Sequence, residues 1–211
     1  MSDKKIIIVA IILAALLIGG GWYYSTHKAP SASISEPQNS GTPSPTEMGI
    51  AIGNPDAPIT IDEYTNFLCP ACASFAANAM PKIMDEYVKT GKAKFNIYIY
   101  PPIETSKAGL CAQEQNKFLE YHDYIFSHQS QVADESDLVD FAVNIQMNQQ
   151  QFSACLISDK YKNKIQKWYD EGNARGIDST PTFFINGQKF VGAQSYDELK
   201  KIIDRQLEAV K

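Results

Sequence analysis

The tetrapeptide Cys69-Pro70-Ala71-Cys72 places two thiols one helical turn apart, a spacing suited to making and breaking a disulfide rather than to holding a fold together. The preceding residues, Pro58-Ile59-Thr60-Ile61-Asp62-Glu63-Tyr64, read as a strand, and the run after the pair, through Ala73, Phe75, Ala76, Ala79 and Met80, is compatible with a helix. The cysteines therefore stand at the mouth of a strand-to-helix turn. The first N–H groups of such a helix have no partner within it, so they and the macrodipole stabilise a thiolate on Cys69. Pro70 suits the first turn, where a missing N–H costs nothing. As a disulfide, the pair would be attacked by an incoming thiolate at the exposed Cys69 sulfur, and Cys72, a turn further in, would be the less accessible resolving partner. A zinc module also uses C-x-x-C, but the remaining Cys and His residues lack a second closely spaced ligand pair, so no metal is expected.

Four features together resemble the DsbA-like thiol-disulfide oxidoreductases of the thioredoxin superfamily: Gly53-Asn54-Pro55-Asp56-Ala57-Pro58-Ile59-Thr60-Ile61, Glu63 six residues before Cys69, the CPAC itself, and Thr180-Pro181-Thr182-Phe183-Phe184-Ile185-Asn186-Gly187. The resemblance runs over residues 48–211. It implies an α/β thioredoxin fold with an all-helical insertion, and a redox-active disulfide with no further cofactor. It makes Thr180-Pro181 the cis-proline loop beside the redox pair, against the alternative of a trans proline in an ordinary loop. It makes Glu63 a buried acid that moves protons to and from Cys72, against the alternative of an exposed strand carboxylate. Asp62 lies on the opposite face of the strand, so only one of the two carboxylates is expected to point inward.

The activity that follows from the resemblance is donation of disulfides to the thiols of exported proteins or peptides, with reoxidation by an integral membrane, quinone-linked partner. One departure bears on direction: Pro70-Ala71 lacks the histidine that stabilises the reduced thiolate in strongly oxidising relatives. A reductase or isomerase of the same fold is therefore the alternative, although a monomer is expected and no dimerisation region is evident. A redox-inert chaperone or adaptor is a third reading, and the intact CPAC opposes it.

The elements that must position these groups are legible in outline. Gly91 ends the segment after the active-site helix, and Ala93 to Tyr100 alternates as a strand closed by Pro101-Pro102. A helical block runs from about residue 103 to 176. Its stripes are Ala108, Cys111, Phe118, Tyr121 and Ile125; Leu138, Phe141, Ala142 and Ile145; Phe152, Cys155 and Leu156; and a fourth helix, opened by Asp159, with Tyr161, Ile165 and Trp168. The run Leu110 to Asp123 resembles the family's first insertion helix. Thr182 to Ile185 and Gln188 to Val191 form a hairpin through Asn186-Gly187, followed by a helix from Tyr196 to Ala209. His122 and His128 lie on amphipathic helices and read as structural or exposed.

The N-terminus bears on compartment. Asp3-Lys4-Lys5 precedes an apolar run that, counted from Ile6 through Tyr24, has 19 residues. As a helix at 1.5 Å per residue it spans roughly 28 Å, close to a bilayer core. Residues 1–24 are thus expected to be a transmembrane anchor at the cell membrane, with the C-terminal domain outside. A cleaved signal peptide, leaving a secreted or periplasmic protein, is the competing reading. Residues 25–47, rich in Pro, Ser and Thr, form a tether. All four cysteines fall beyond it. If Cys69 and Cys72 are the redox pair, Cys111 and Cys155 remain as a structural disulfide or as two buried free thiols. The net charge of −5 offers no basic patch for nucleic acid.

Overall fold

Apolar side chains on both faces of a strand require cover on both sides, and the central strands here have it. The computed structural model describes residues 48–210. The expected anchor at 1–24 and tether at 25–47 lie outside the described residues, among which no helix is long and apolar enough to cross a membrane.

The chain order is β1 (Ile50–Ile52), β2 (Ile59–Thr65), α1 (Pro70–Asn78), α2 (Met80–Ile83) with a π-helical turn over Met84–Val88, and β3 (Ala93–Ile99). A helical block follows: α3 (Ile103–Glu114), α4 (Phe118–Ser127), α5 (Glu135–Asn144), α6 (Gln149–Ile157) and α7 (Lys162–Ala174). The hairpin β4 (Thr182–Ile185) and β5 (Gln188–Val191) and the helix α8 (Tyr196–Ala209) close the fold. The sheet order is β1-β3-β2-β4-β5, with β2 and β3 parallel and the other neighbours antiparallel. This is a thioredoxin-like α/β arrangement with a helical block between its two halves.

In the β2 register, Glu63 stands beside Ile97 and Phe183, whereas Asp62 stands beside Asn96 and Phe184. The Glu63 face receives α1, whose Phe75 packs on Phe95 and Phe183 with centroids 6.5 and 4.6 Å away. The Asp62 face receives α7, whose Trp168 meets Tyr98 edge-on at 5.7 Å. Both carboxylates are consequently buried, which corrects the expectation that only one could point inward. The alternation was right, but a sheet covered on both faces has no outward side. Asp62 is matched by the equally buried Arg175 at 3.3 Å and accepts a bond from Asn96 Nδ2 at 2.9 Å.

Three local readings also change. The run Leu110 to Asp123 is two helices, broken where Asn116 adopts a left-handed φ of 56° and Lys117 N–H returns to the Ala112 carbonyl. The seven-residue step from Cys111 to Phe118 mimics two helical turns, so periodicity alone did not reveal the break. The last helix of the block opens at Lys162 rather than Asp159. The short β1, which pairs Ile50 with Ile97, carries too few residues to stand out as a strand in the sequence. Past α1, Pro81 has no N–H to continue the helical ladder, and the chain steps into a second helix at Met80.

Candidate active site

The α1 helix begins with Cys69 as its N-cap residue and Pro70 in the first turn, and turns Cys72, Phe75 and Ala76 inward. The two sulfurs are unequal because Cys69 caps the helix in an extended conformation at its start while Cys72 lies within its first turn. Cys69 is partly exposed, Cys72 is fully buried, and both carry free thiols. Burial opposes ionisation of Cys69, but the Thr180 side chain and the amides and thiol at the start of α1 outweigh it and hold its pKa below that of an ordinary cysteine. Cys72 goes the other way: burial pushes it up to about 12, with partial relief from the Thr65 side chain. The surroundings thus favour the thiolate at the outer sulfur and the thiol at the inner one.

Thr180 and Pro181 are joined by a cis peptide, and the Cys69 thiol donates to the Thr180 carbonyl at 3.2 Å. A second cis bond joins Pro101 and Pro102, which the sequence marked only as the end of a strand. Glu63 is fully buried on the face that carries α1, and burial pushes its pKa up to about 8. The structure thus brings Cys69, Cys72 and the Thr180-Pro181 loop together around the start of α1, and buries Glu63 on the sheet face that α1 covers. Cys111 on α3 and Cys155 on α6 form a separate disulfide with Cα atoms 5.8 Å apart.

Two residues that sequence reading missed hold the loop before Cys69. The Asn66 side chain accepts from Leu68 N–H at 2.7 Å and donates to the Pro101 carbonyl. Gln129, just beyond α4, donates to the carbonyls of Phe67 at 2.7 Å and Cys69 at 3.0 Å. An asparagine two residues before Leu68 is a local turn signal. Gln129 gives none, because it reaches the loop only through the docking of the helical block. His122 is enclosed by Phe67, Phe118 and Phe126, and His128 stacks on Tyr124 at 4.1 Å. Among the described residues no group of three or more His, Cys, Asp or Glu side chains is placed to hold a metal ion.

The thioredoxin family model matches residues 45–205. The probable disulfide bond formation protein D of Bacillus anthracis is 28% identical over 170 residues, covering 74% of this chain and 77% of that one. Among solved structures, oxidised BdbD from Bacillus subtilis superposes with a TM-score of 0.67 at 24% identity, over 80% of this chain and 97% of that one. The α-DsbA1 of Wolbachia pipientis gives 0.70 at 24% identity, over 79% and 94%.

Proposed function

The chain belongs to the thioredoxin family, and from that premise we propose that it is a protein thiol-disulfide oxidoreductase that introduces disulfide bonds into exported proteins. The observation that carries the reading is the inequality of the two sulfurs at the N-terminus of α1, with the outer one against the Thr180 carbonyl. The name of the Bacillus anthracis relative, a disulfide bond formation protein, supports the oxidising direction.

A substrate thiolate attacks Cys69 Sγ in the oxidised pair, and the electron pair of the broken S–S bond leaves on Cys72. The substrate's second thiol then displaces Cys69, which leaves readily because its thiolate is stabilised, and the protein ends as the dithiol. Leu68, next to Cys69 in the chain, and Val191, opposite Thr182 in the hairpin register, are exposed and would offer an unfolded peptide apolar contact. Glu63 supplies and accepts the proton on the buried side. Reoxidation falls to an integral membrane, quinone-linked partner, and residues 1–24 would hold the domain near it, outside the cytoplasm.

The absence of histidine between the cysteines is the observation that favours a reductase instead. Equilibrating the Cys69–Cys72 couple of the full chain with glutathione, with Cys111–Cys155 intact, separates the two. The expected reduction potential lies toward ~−120 mV, whereas a value near ~−270 mV would make the protein a reductant. In either case Cys69→Ser abolishes turnover, and exchange that survives it would overturn the assignment of the nucleophile.

A further inference from the structure

Two buried polar atoms near the end of β2 have no hydrogen-bond partner among the described residues: Oε2 of Glu63 and Oγ1 of Thr65. Thr65 is fully buried, and a valine of the same shape would fill its place without leaving an unpaired hydroxyl. Residues two apart on a strand share a face, so Thr65 and Glu63 both point to the side on which α1 buries Cys72. Burial apart, the Thr65 side chain is what acts on Glu63, and it is also the foremost polar influence on Cys72. This hydroxyl therefore lies on the same buried strand face as the carboxyl that holds a proton, on the side where α1 buries the sulfur that must receive one, with its hydrogen-bonding capacity unspent.

We propose that the Thr65 hydroxyl is the proton relay between the Glu63 carboxyl and the Cys72 sulfur. The proposal rests on the oxidoreductase reading and adds a residue to it. A hydroxyl is fitted to the task because it donates and accepts at the same atom. When the substrate thiolate bonds to Cys69 Sγ, the Cys69–Cys72 bond breaks with both electrons on Cys72. The Thr65 O–H proton passes to that sulfur while the Glu63 carboxyl proton passes to the Thr65 oxygen. The products are the mixed disulfide on Cys69, a Cys72 thiol, an intact Thr65 and a Glu63 carboxylate. In reoxidation the same path runs backwards, and the carboxylate takes the proton as Cys72 attacks. Without the relay, Cys72 would have to leave as a thiolate inside an apolar pocket.

The groups around this corner leave few competitors. The cross-strand neighbours of Glu63 are Ile97 and Phe183, and that of Thr65 is Ile99. The α1 helix contributes Cys69 and Cys72, the cis-proline loop Thr180, and α8 turns Leu199, Ile202 and Ile203 inward. Among these the ionisable groups are Glu63 and the two thiols.

The test compares the full-length wild-type chain with Thr65→Val and Thr65→Ser, following exchange of the oxidised protein with a fluorogenic dithiol peptide from pH 5 to pH 10. Rates are expressed per substrate thiolate. The wild-type rate is expected to fall through a break near pH 8, where Glu63 loses the proton it donates. Thr65→Val is expected to be roughly tenfold to hundredfold slower below the break, to show no break, and to converge on wild type above it. Thr65→Ser is expected to keep both rate and break. Thr65→Ala is read by the same criteria should the valine variant fail to fold. A valine variant with wild-type rate and break overturns the relay, and so does a slower rate with the break unmoved, which reports altered packing. Wild-type protein that exchanges no faster than glutathione disulfide at any pH overturns the oxidoreductase reading and the relay with it.

Discussion

At the scale of single residues, the proposed chemistry depends on two like groups held in unlike surroundings. Cys69 and Cys72 are separated by one helical turn, yet one is held below the ordinary cysteine range and the other is pushed up to about 12. The motif makes this inequality readable from the sequence, because the first cysteine stands at the mouth of the strand-to-helix turn while the second lies a turn further in. Glu63 is different: its burial depends on the cover that α1 provides, so the sequence left open whether it was buried or exposed. Its raised pKa has a measurable consequence for stability. Burial moves the carboxyl from 4.5 to about 8, so between those values the native state holds a proton that the unfolded state has released. Stability should therefore fall as pH rises through that window, by about 1.4 kcal/mol per pH unit at most. Urea unfolding of Glu63→Gln at pH 5 and pH 8 is expected to lack this slope. A variant with the wild-type slope would mean that another group carries it.

At the scale of elements, the helical block owes its coherence to a staple and to the break at Asn116. That break makes α3 and α4 separate helices, and the disulfide ties α3 to α6 across a sequence separation of 44. In the loop-entropy account, closing a loop of this length contributes about 4 kcal/mol. Replacing Cys111 and Cys155 together by Ala is expected to lower the unfolding free energy by roughly that amount while exchange at Cys69 continues at an unchanged rate. Lost exchange in a variant that still unfolds cooperatively would show that the bridge acts on the redox site. The hairpin β4–β5 was legible residue by residue, because Asn186-Gly187 is a local signal, and α8 spans the expected Tyr196–Ala209, opened by a Ser195–Glu198 capping box. The two-helix form of Leu110 to Asp123 was not, because a step of seven residues fits a continuous helix and an interrupted one equally.

At the scale of the whole molecule, the helical block is fastened to the sheet by a buried polar cluster on the face away from the cysteines. Arg175 lies 3.3 Å from Asp62, donates to the Tyr64 hydroxyl at 2.8 Å and covers the Phe184 ring at 3.6 Å. One residue at the end of the block thus touches β2 and β4 together. Breaking such a pair on one side strands the other charge, so Arg175→Met is expected to cost about 3–5 kcal/mol in urea unfolding. Adding Asp62→Leu is expected to recover most of that loss, and a double variant no more stable than the single one would refute the pairing. The redox motif, the hairpin and the terminal helix were determined by the sequence itself, because each is carried by contacts or turn chemistry within a few neighbouring residues. Burial of both Asp62 and Glu63, the Arg175 partnership, the Gln129 bonds to the loop before Cys69 and the burial of Thr65 on the sheet face that α1 covers were decided only by the tertiary structure. They join residues far apart in the chain, or depend on which faces of the sheet are covered, and no local pattern encodes either.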